Sequence, residues 1–143
     1  MKRLGIDFGS KKVGIAVSDD DGRIAFPKTI LKNDAALLDE VAQLCRIERI
    51  DEIVIGESLD FAGTPNVIMP AIREFADAIR FKAELPVAFQ KEYMTSLEAR
   101  RPIDGKKDLM ARKVKQEKMG NVDASAAALI LQRYLDTINS TSR

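Results

Sequence analysis

Leu4-Gly5-Ile6-Asp7-Phe8-Gly9-Ser10-Lys11-Lys12-Val13-Gly14-Ile15-Ala16-Val17-Ser18 is the stretch that decides the fold. Arg3–Phe8 alternates and is rich in β-forming side chains, residues 9–12 carry turn chemistry, and Val13–Ser18 resumes the alternation. A second turn, Asp19-Asp20-Asp21-Gly22, leads into a third strand, Ile24–Leu31. Pro27 has no N–H to give to a ladder, so this strand belongs at a sheet edge. Three strands joined by tight turns make an antiparallel meander.

Downstream the pattern changes period. Asn33 or Asp34 can cap a helix whose apolar positions, Leu37, Leu38, Val41, Leu44, Cys45 and Ile47, keep helical spacing. Glu52–Ile55 reads as a short buried strand, and Pro65–Ala83 as a helix with Ile68, Ile72, Phe75, Ala76 and Ile79 on one face and Pro70 bending or ending its first turn. Pro86–Phe89 is a fifth strand. Thr95–Arg101 starts a helix that Pro102-Ile103-Asp104-Gly105 breaks. A charged stretch follows to Met119, and Asp123–Ile138 is a strongly apolar last helix. The class is α/β, a mixed five-stranded sheet with a three-stranded antiparallel meander, two parallel strands added by crossovers, and helices on both faces. Residues 1–138 read as a single domain and residues 139–143 as a frayed tail.

The composition narrows the chemistry. Histidine is absent, which excludes a Ser-His-Asp triad, a Cys-His pair and a His-ligated zinc centre. The single cysteine, Cys45, permits no intramolecular disulfide and reads as a buried structural thiol in a reducing compartment. No signal peptide opens the chain and no apolar run reaches spanning length, so the cytoplasm is the expected location and no membrane partner is expected. Any enzyme chemistry then runs on carboxylates, Lys, Arg, Tyr, Ser/Thr or the single Cys, and a hard metal bound by oxygen is the natural option.

Three acids are candidates for it. Asp7 lies on a strand of otherwise apolar and glycine residues, where a buried carboxylate is costly unless a cation or several donors meet it. Gly5 and Gly9 share its face and are expected to leave open space beside it. The alternative is an Asp that bonds its own turn. Glu92 follows the fifth strand at the carboxyl end, where open α/β sheets place their sites, though a solvated loop carboxylate reads the same way. Asp123 starts the last helix, a position that suits a plain cap. The small residues Ala124-Ser125-Ala126-Ala127-Ala128 behind it would let that helix approach the sheet and aim the carboxylate at Asp7. Together the three would hold one or two Mg²⁺ or Mn²⁺ ions for phosphodiester hydrolysis.

These segments resemble the YqgF-type family, whose members carry the names pre-16S rRNA nuclease and Holliday junction resolvase. The resemblance runs from Leu4 to about Tyr134. It rests on residues 5–17, Asp51-Glu52-Ile53-Val54-Ile55-Gly56, Gly63-Thr64, Glu92 with Thr95-Ser96-Leu97-Glu98-Ala99, and Gly120-Asn121-Val122-Asp123-Ala124-Ser125-Ala126-Ala127. The resemblance implies an RNase H-like fold, metal-dependent nuclease activity, a part in maturing small-subunit ribosomal RNA, and Asp7, Glu92 and Asp123 as the catalytic acids. Two departures stand out. Gly56-Glu57-Ser58 replaces the family's Gly-Leu-Pro, and Lys91-Glu92-Tyr93 replaces Asp-Glu-Arg, removing a guanidinium fork that lysine does not reproduce. Glu57, at the end of the fourth strand, would supplement or replace Glu92 as a metal ligand, or else face solvent. Asp7-Phe8-Gly9-Ser10 also resembles the phosphate-binding hairpin of actin-like ATPases and sugar kinases, which need a second lobe that 143 residues do not accommodate.

Charge distribution points the same way. Residues 100–119 are net +5 and the rest of the chain net −4. That run is either a solvated helix face or the grip of an enzyme on phosphates. Ser10, Lys11, Lys12, Arg100, Arg101, Lys106, Lys107, Arg112 and Lys113 are the expected nucleic-acid contacts. Few aromatics accompany them, so backbone and shape recognition is expected over base stacking. The leading function is that of a Mg²⁺- or Mn²⁺-dependent nuclease acting on structured RNA; the resemblance implies pre-16S rRNA, processed on its 5′ side at the ribosomal small subunit, as the substrate. The alternatives are a resolvase of branched DNA and a catalytically weak RNA-binding assembly protein. Monomer and homodimer both stay open, with the symmetry of a branched junction favouring the dimer.

Overall fold

The computed structural model describes residues 1–59, 63–93 and 124–141. Its strands are β1 (Arg3–Phe8), β2 (Lys12–Ser18), β3 (Ala25–Lys32), β4 (Glu52–Leu59) and β5 (Val87–Tyr93), and its helices α1 (Leu37–Ile47), α2 (Met69–Ala83) and α3 (Ala124–Thr141). The strands form one sheet in the order β3-β2-β1-β4-β5. β1–β3 are the antiparallel meander, and β4 and β5 add in parallel beside β1. The sheet is therefore the mixed one that the sequence predicts, with β3 on its edge.

Strand alternation sends the two sets of side chains to different helices. Leu4, Ile6, Val13, Ile15, Ile53 and Ile55 pack with α1 and α2 residues such as Val41, Ile72 and Ile79 in the larger core. Ala16 and Val54, on the other face, meet Ala127, Ile130, Leu131 and Leu135 of α3. Helices thus cover both faces.

Close approach of α3 depends on two glycines. A Cβ on Gly5 would lie 2.7 Å from Leu131 Cβ and 3.1 Å from the Ala127 carbonyl oxygen, and one on Gly56 would lie 2.8 Å from Ile130 Cδ1. The expectation that Gly5 leaves room for a ligand is corrected here: the helix fills that space. Small residues at the start of α3 complete the fit, as the run after Asp123 suggests.

Several boundaries differ from the sequence reading. β4 and β5 each extend past their apolar runs, because Glu57 registers with Lys91, Ser58 with Glu92 and Leu59 with Tyr93. Pro65 does not open α2; it bridges back to Leu59, and Pro70 sits within the first turn, where its missing N–H would be unpaired anyway. Neither Asn33 nor Asp34 is the N-cap of α1, which is Ala36, although Asp34 Oδ1 accepts the Ala36 N–H. α3 continues through residues 139–141, where the reading has a frayed tail, and the Asn139 side chain donates to the Gly22 carbonyl. The expected helix over Thr95–Arg101 lies outside the described residues.

Candidate metal and nucleic-acid site

Asp7 is the next-to-last residue of β1. It is opposite Gly14 of β2 and shares the α3-facing side of the sheet with Gly5. It lies two residues beyond Gly5 toward the carboxyl end of β1 and is partly buried.

Glu92 sits near the end of β5, in register with Ser58. Val54 belongs to the α3-side core and Ile53 and Ile55 to the other. Alternation from these residues therefore places Ser58 and Glu92 on the α3 side with Asp7. The same alternation sends Glu57 to the α1/α2 side, so Glu57 and Glu92 do not share a face. β1 and β5 are separated by β4, which puts about 10 Å between their axes at ordinary strand spacing.

The Glu92 carboxylate is the most unusual group on this face. Its Oε2 accepts a hydrogen bond from Arg133 Nη1 of α3, an ion pair in which the Glu92 side chain is 21% exposed and that of Arg133 57%. Its Oε1 is buried with no hydrogen-bond partner among the described residues. Burial pushes the Glu92 carboxyl above the usual carboxylate range, and Arg133 only partly opposes this. A buried carboxylate oxygen left without a donor is rare in folded proteins and is accounted for by strain, a catalytic role, or a bound water or ion. A hard divalent cation fits it, because carboxylate oxygens are the donors such ions take.

Asp123 directly precedes Ala124, the first residue of α3, and lies outside the described residues. So do Arg100, Arg101, Lys106, Lys107, Arg112 and Lys113. Among the described residues no three acids or other metal-ligating side chains cluster closely enough to hold an ion. Ser10, Lys11 and Lys12 are exposed at the β1–β2 turn, on the same end of the sheet as Asp7. Arg133 was not singled out from sequence. Its only local signal is a guanidinium in the middle of α3, 41 residues from the acid it meets.

Comparison with known proteins adds the decisive observation. The family RuvX, described as Holliday junction resolvase, matches residues 1–137. The chain belongs to this family. Among curated RuvX-like relatives, a protein of Lawsonia intracellularis named "Putative pre-16S rRNA nuclease" is 35% identical over 143 residues, covering 98% of this chain and 96% of its own. One from Maridesulfovibrio salexigens with the same name is 33% identical over 137 residues, covering 94% and 98%. Both the family and its relatives are nucleases by name, and this RuvX chain is accordingly a nuclease, a phosphodiester hydrolase. Among solved structures, Thermus thermophilus RuvC in complex with a Holliday junction substrate aligns with a TM-score of 0.54 at 16% identity, covering 99% of this chain and 97% of that one. At that identity the likeness concerns the fold, which is RNase H-like as the resemblance implies.

The thiol and the remaining ion pairs have other work. Cys45 is buried, and burial pushes its thiol up to about 11, as a structural cysteine requires. Glu48 takes Lys2 and Lys28 at 3.0 and 2.9 Å, tying the end of α1 to β3 and the N-terminus. No helix among the described residues is long and apolar enough to cross a membrane.

Proposed function

We propose that this RuvX chain is a divalent-metal-dependent nuclease of the cytoplasm that cuts structured RNA, in the 5′ processing of pre-16S rRNA. The observation that carries the reading is the buried, unpartnered Oε1 of Glu92 on the sheet face that also presents Asp7. The relatives' shared name supports the RNA substrate. Asp7, Glu92 and Asp123 would hold Mg²⁺ or Mn²⁺, with Glu57 set apart by its position on the other face. When bound, such an ion supplies Lewis acidity toward the phosphoryl oxygen and a more acidic water.

The chain's own residues do the positioning. β1, the central strand of the sheet, fixes Asp7 in register with Gly14 of β2. Glu92 stands at the end of β5, and its burial strengthens any interaction its carboxylate makes with a cation. Arg133 occupies one oxygen of that carboxylate, so the pair must open or share as the site fills. The freed guanidinium would then be a fork suited to a phosphate.

The test is cleavage of a pre-16S rRNA leader fragment beside a four-way DNA junction, each with Mn²⁺, with Mg²⁺ and with EDTA. The expected outcome is metal-dependent cutting of the RNA that falls at least about 100-fold in Asp7→Asn, since even the outer partners of metal ligands are worth about 10–100-fold. Cutting of the junction alone would move the substrate to branched DNA, as the family description has it. Equal cleavage by wild type and Asp7→Asn would remove Asp7 from the chemistry.

A second reading, a catalytically weak RNA-binding protein, draws on the Arg133–Glu92 pair, which occupies a carboxylate that the hydrolase needs. It expects wild type to cut poorly and metal-dependent cleavage to rise in Arg133→Met; cleavage that falls in Arg133→Met would count against it.

A further inference from the structure

We infer that Lys12 and Lys32 form a two-lysine rail that holds the substrate's phosphodiester backbone on the sheet face beside Asp7. The inference rests on the nuclease reading above and extends it to the strand that the site receives.

Lys12 opens β2 and Lys32 closes β3, and the two are directly opposite in the antiparallel register. Both are exposed. Gly14 is opposite both Asp7 and Ile30, so Asp7, Gly14 and Ile30 share one side of the sheet. Lys12 is two residues from Gly14, and Lys32 two from Ile30, which keeps both lysines on that side. The neighbouring positions confirm the parity, since Val13 and Leu31 belong with the α1/α2 core. Along this face, acids stand on β1 and β5 and lysines on β2 and β3. One strand step and two residues separate Asp7 from Lys12, about 8 Å between backbones at standard strand dimensions. A backbone whose reacting phosphate is at Asp7 would therefore pass its neighbouring phosphates over Lys12 and then Lys32.

The pair is unfavourable without an anion. Like charges directly opposite on neighbouring strands destabilise a sheet. Neither lysine has an ion-pair partner among the described residues, whereas Lys2, Lys28 and Lys82 all do. Asp34, the acid that follows Lys32 most closely, accepts the Ala36 N–H at its Oδ1. Lysines on an edge strand also guard against pairing with another sheet, which would account for Lys32. It does not account for Lys12, because β2 is internal, between β3 and β1. A polyanion running across both strands explains the two together.

The test is RNA binding, measured without cleavage in EDTA, on the pre-16S rRNA leader fragment across a series of salt concentrations. Lys12→Gln, Lys32→Gln and the double variant are compared with wild type and with Lys82→Gln, which makes on α2 the same charge change as either single variant. Each phosphate contact contributes roughly 0.7–0.9 to the slope of log affinity against log salt. The double variant should therefore lose about 1.5 from the slope and bind several-fold more weakly, with Lys82→Gln unchanged. Its thermal midpoint without RNA should equal or exceed that of wild type, which separates lost binding from lost folding. An unchanged slope in the double variant overturns the rail, and self-association of that variant with an unchanged slope assigns Lys32 to edge protection alone. Failure of wild type itself to bind the fragment overturns the RNA reading and the rail with it, a result distinguishable from the first.

Discussion

The two faces of the sheet are built for different purposes. On the α1/α2 side, large aliphatic side chains such as Leu4, Ile6, Ile15, Ile53 and Ile55 interlock with two helices, with no polar side chain buried among them in the described residues. On the α3 side the sheet contributes little bulk: Ala16 and Val54, with Gly5 and Gly56 bared so that one helix can sit directly on the backbone. Toward the carboxyl ends of β1 and β5 the same face presents Asp7, Lys12 and Lys32, and Glu92 paired with Arg133 of α3. One side supplies most of the apolar burial and the other supplies the chemistry. A thin, closely seated helix lets charged groups stand at the sheet's carboxyl end without a thick core between them and solvent.

If that division holds, the largest stability effect belongs to the aliphatic side. Ile6→Ala empties a fully buried position and should cost about 2–5 kcal/mol in urea unfolding. RNA cleavage by the folded fraction should be little altered. A comparable loss of cleavage in the fully folded variant would show that the two faces are coupled.

The next effect is on the seat of α3. Gly5→Ala forces a methyl against Leu131 and the Ala127 carbonyl, an overpacking worth about 1–3 kcal/mol. It should also shift the helix that carries Arg133, so cleavage should fall together with stability. Gly63→Ala is the contrast. Nothing lies within 4 Å of its Cβ position and its φ is +85°, so only backbone strain of about 1 kcal/mol is expected, with cleavage retained. Equal losses at the two glycines would refute close seating as the reason for Gly5.

The smallest effect is electrostatic and lies away from the site. The Lys28 and Lys2 ammonium groups hold the Glu48 carboxyl below its ordinary range. A depressed carboxylate contributes stability that is present above its unfolded pKa and is lost as pH falls through the folded value. Wild type should therefore lose stability on acidification below about pH 4.3, the unfolded glutamate value. Glu48→Gln should flatten that limb by less than about 1 kcal/mol, since Lys28 is largely solvated. No change in the acid limb would leave the pair without energetic weight.

The order of elements and the mixed sheet were legible because hydrophobic period changes from two to 3.6 along the chain. The polar ends of β4 and β5 were not. Glu57, Ser58, Lys91 and Glu92 resemble loop residues in isolation and become strand only by pairing with one another. That extension decides the site, since it sends Glu57 and Glu92 to opposite faces. Asp7 was legible as a carboxylate in an apolar strand. The Arg133–Glu92 pair was not, because it joins β5 to α3 across a tertiary contact. Lys32 escaped because the third strand reads as ending at Leu31, and the register shift between Ile15 and Ala16 displaces by one residue the pairings beyond it, Lys12 with Lys32 among them.

The account depends most on the open face being a cation site. Calorimetric titration of Mn²⁺ into wild type, Asp7→Asn and Glu92→Gln, with no nucleic acid present, tests that directly. The expected result is saturable binding to wild type that weakens about tenfold or more in each variant, both remaining folded. Wild-type affinity retained in both variants would contradict it.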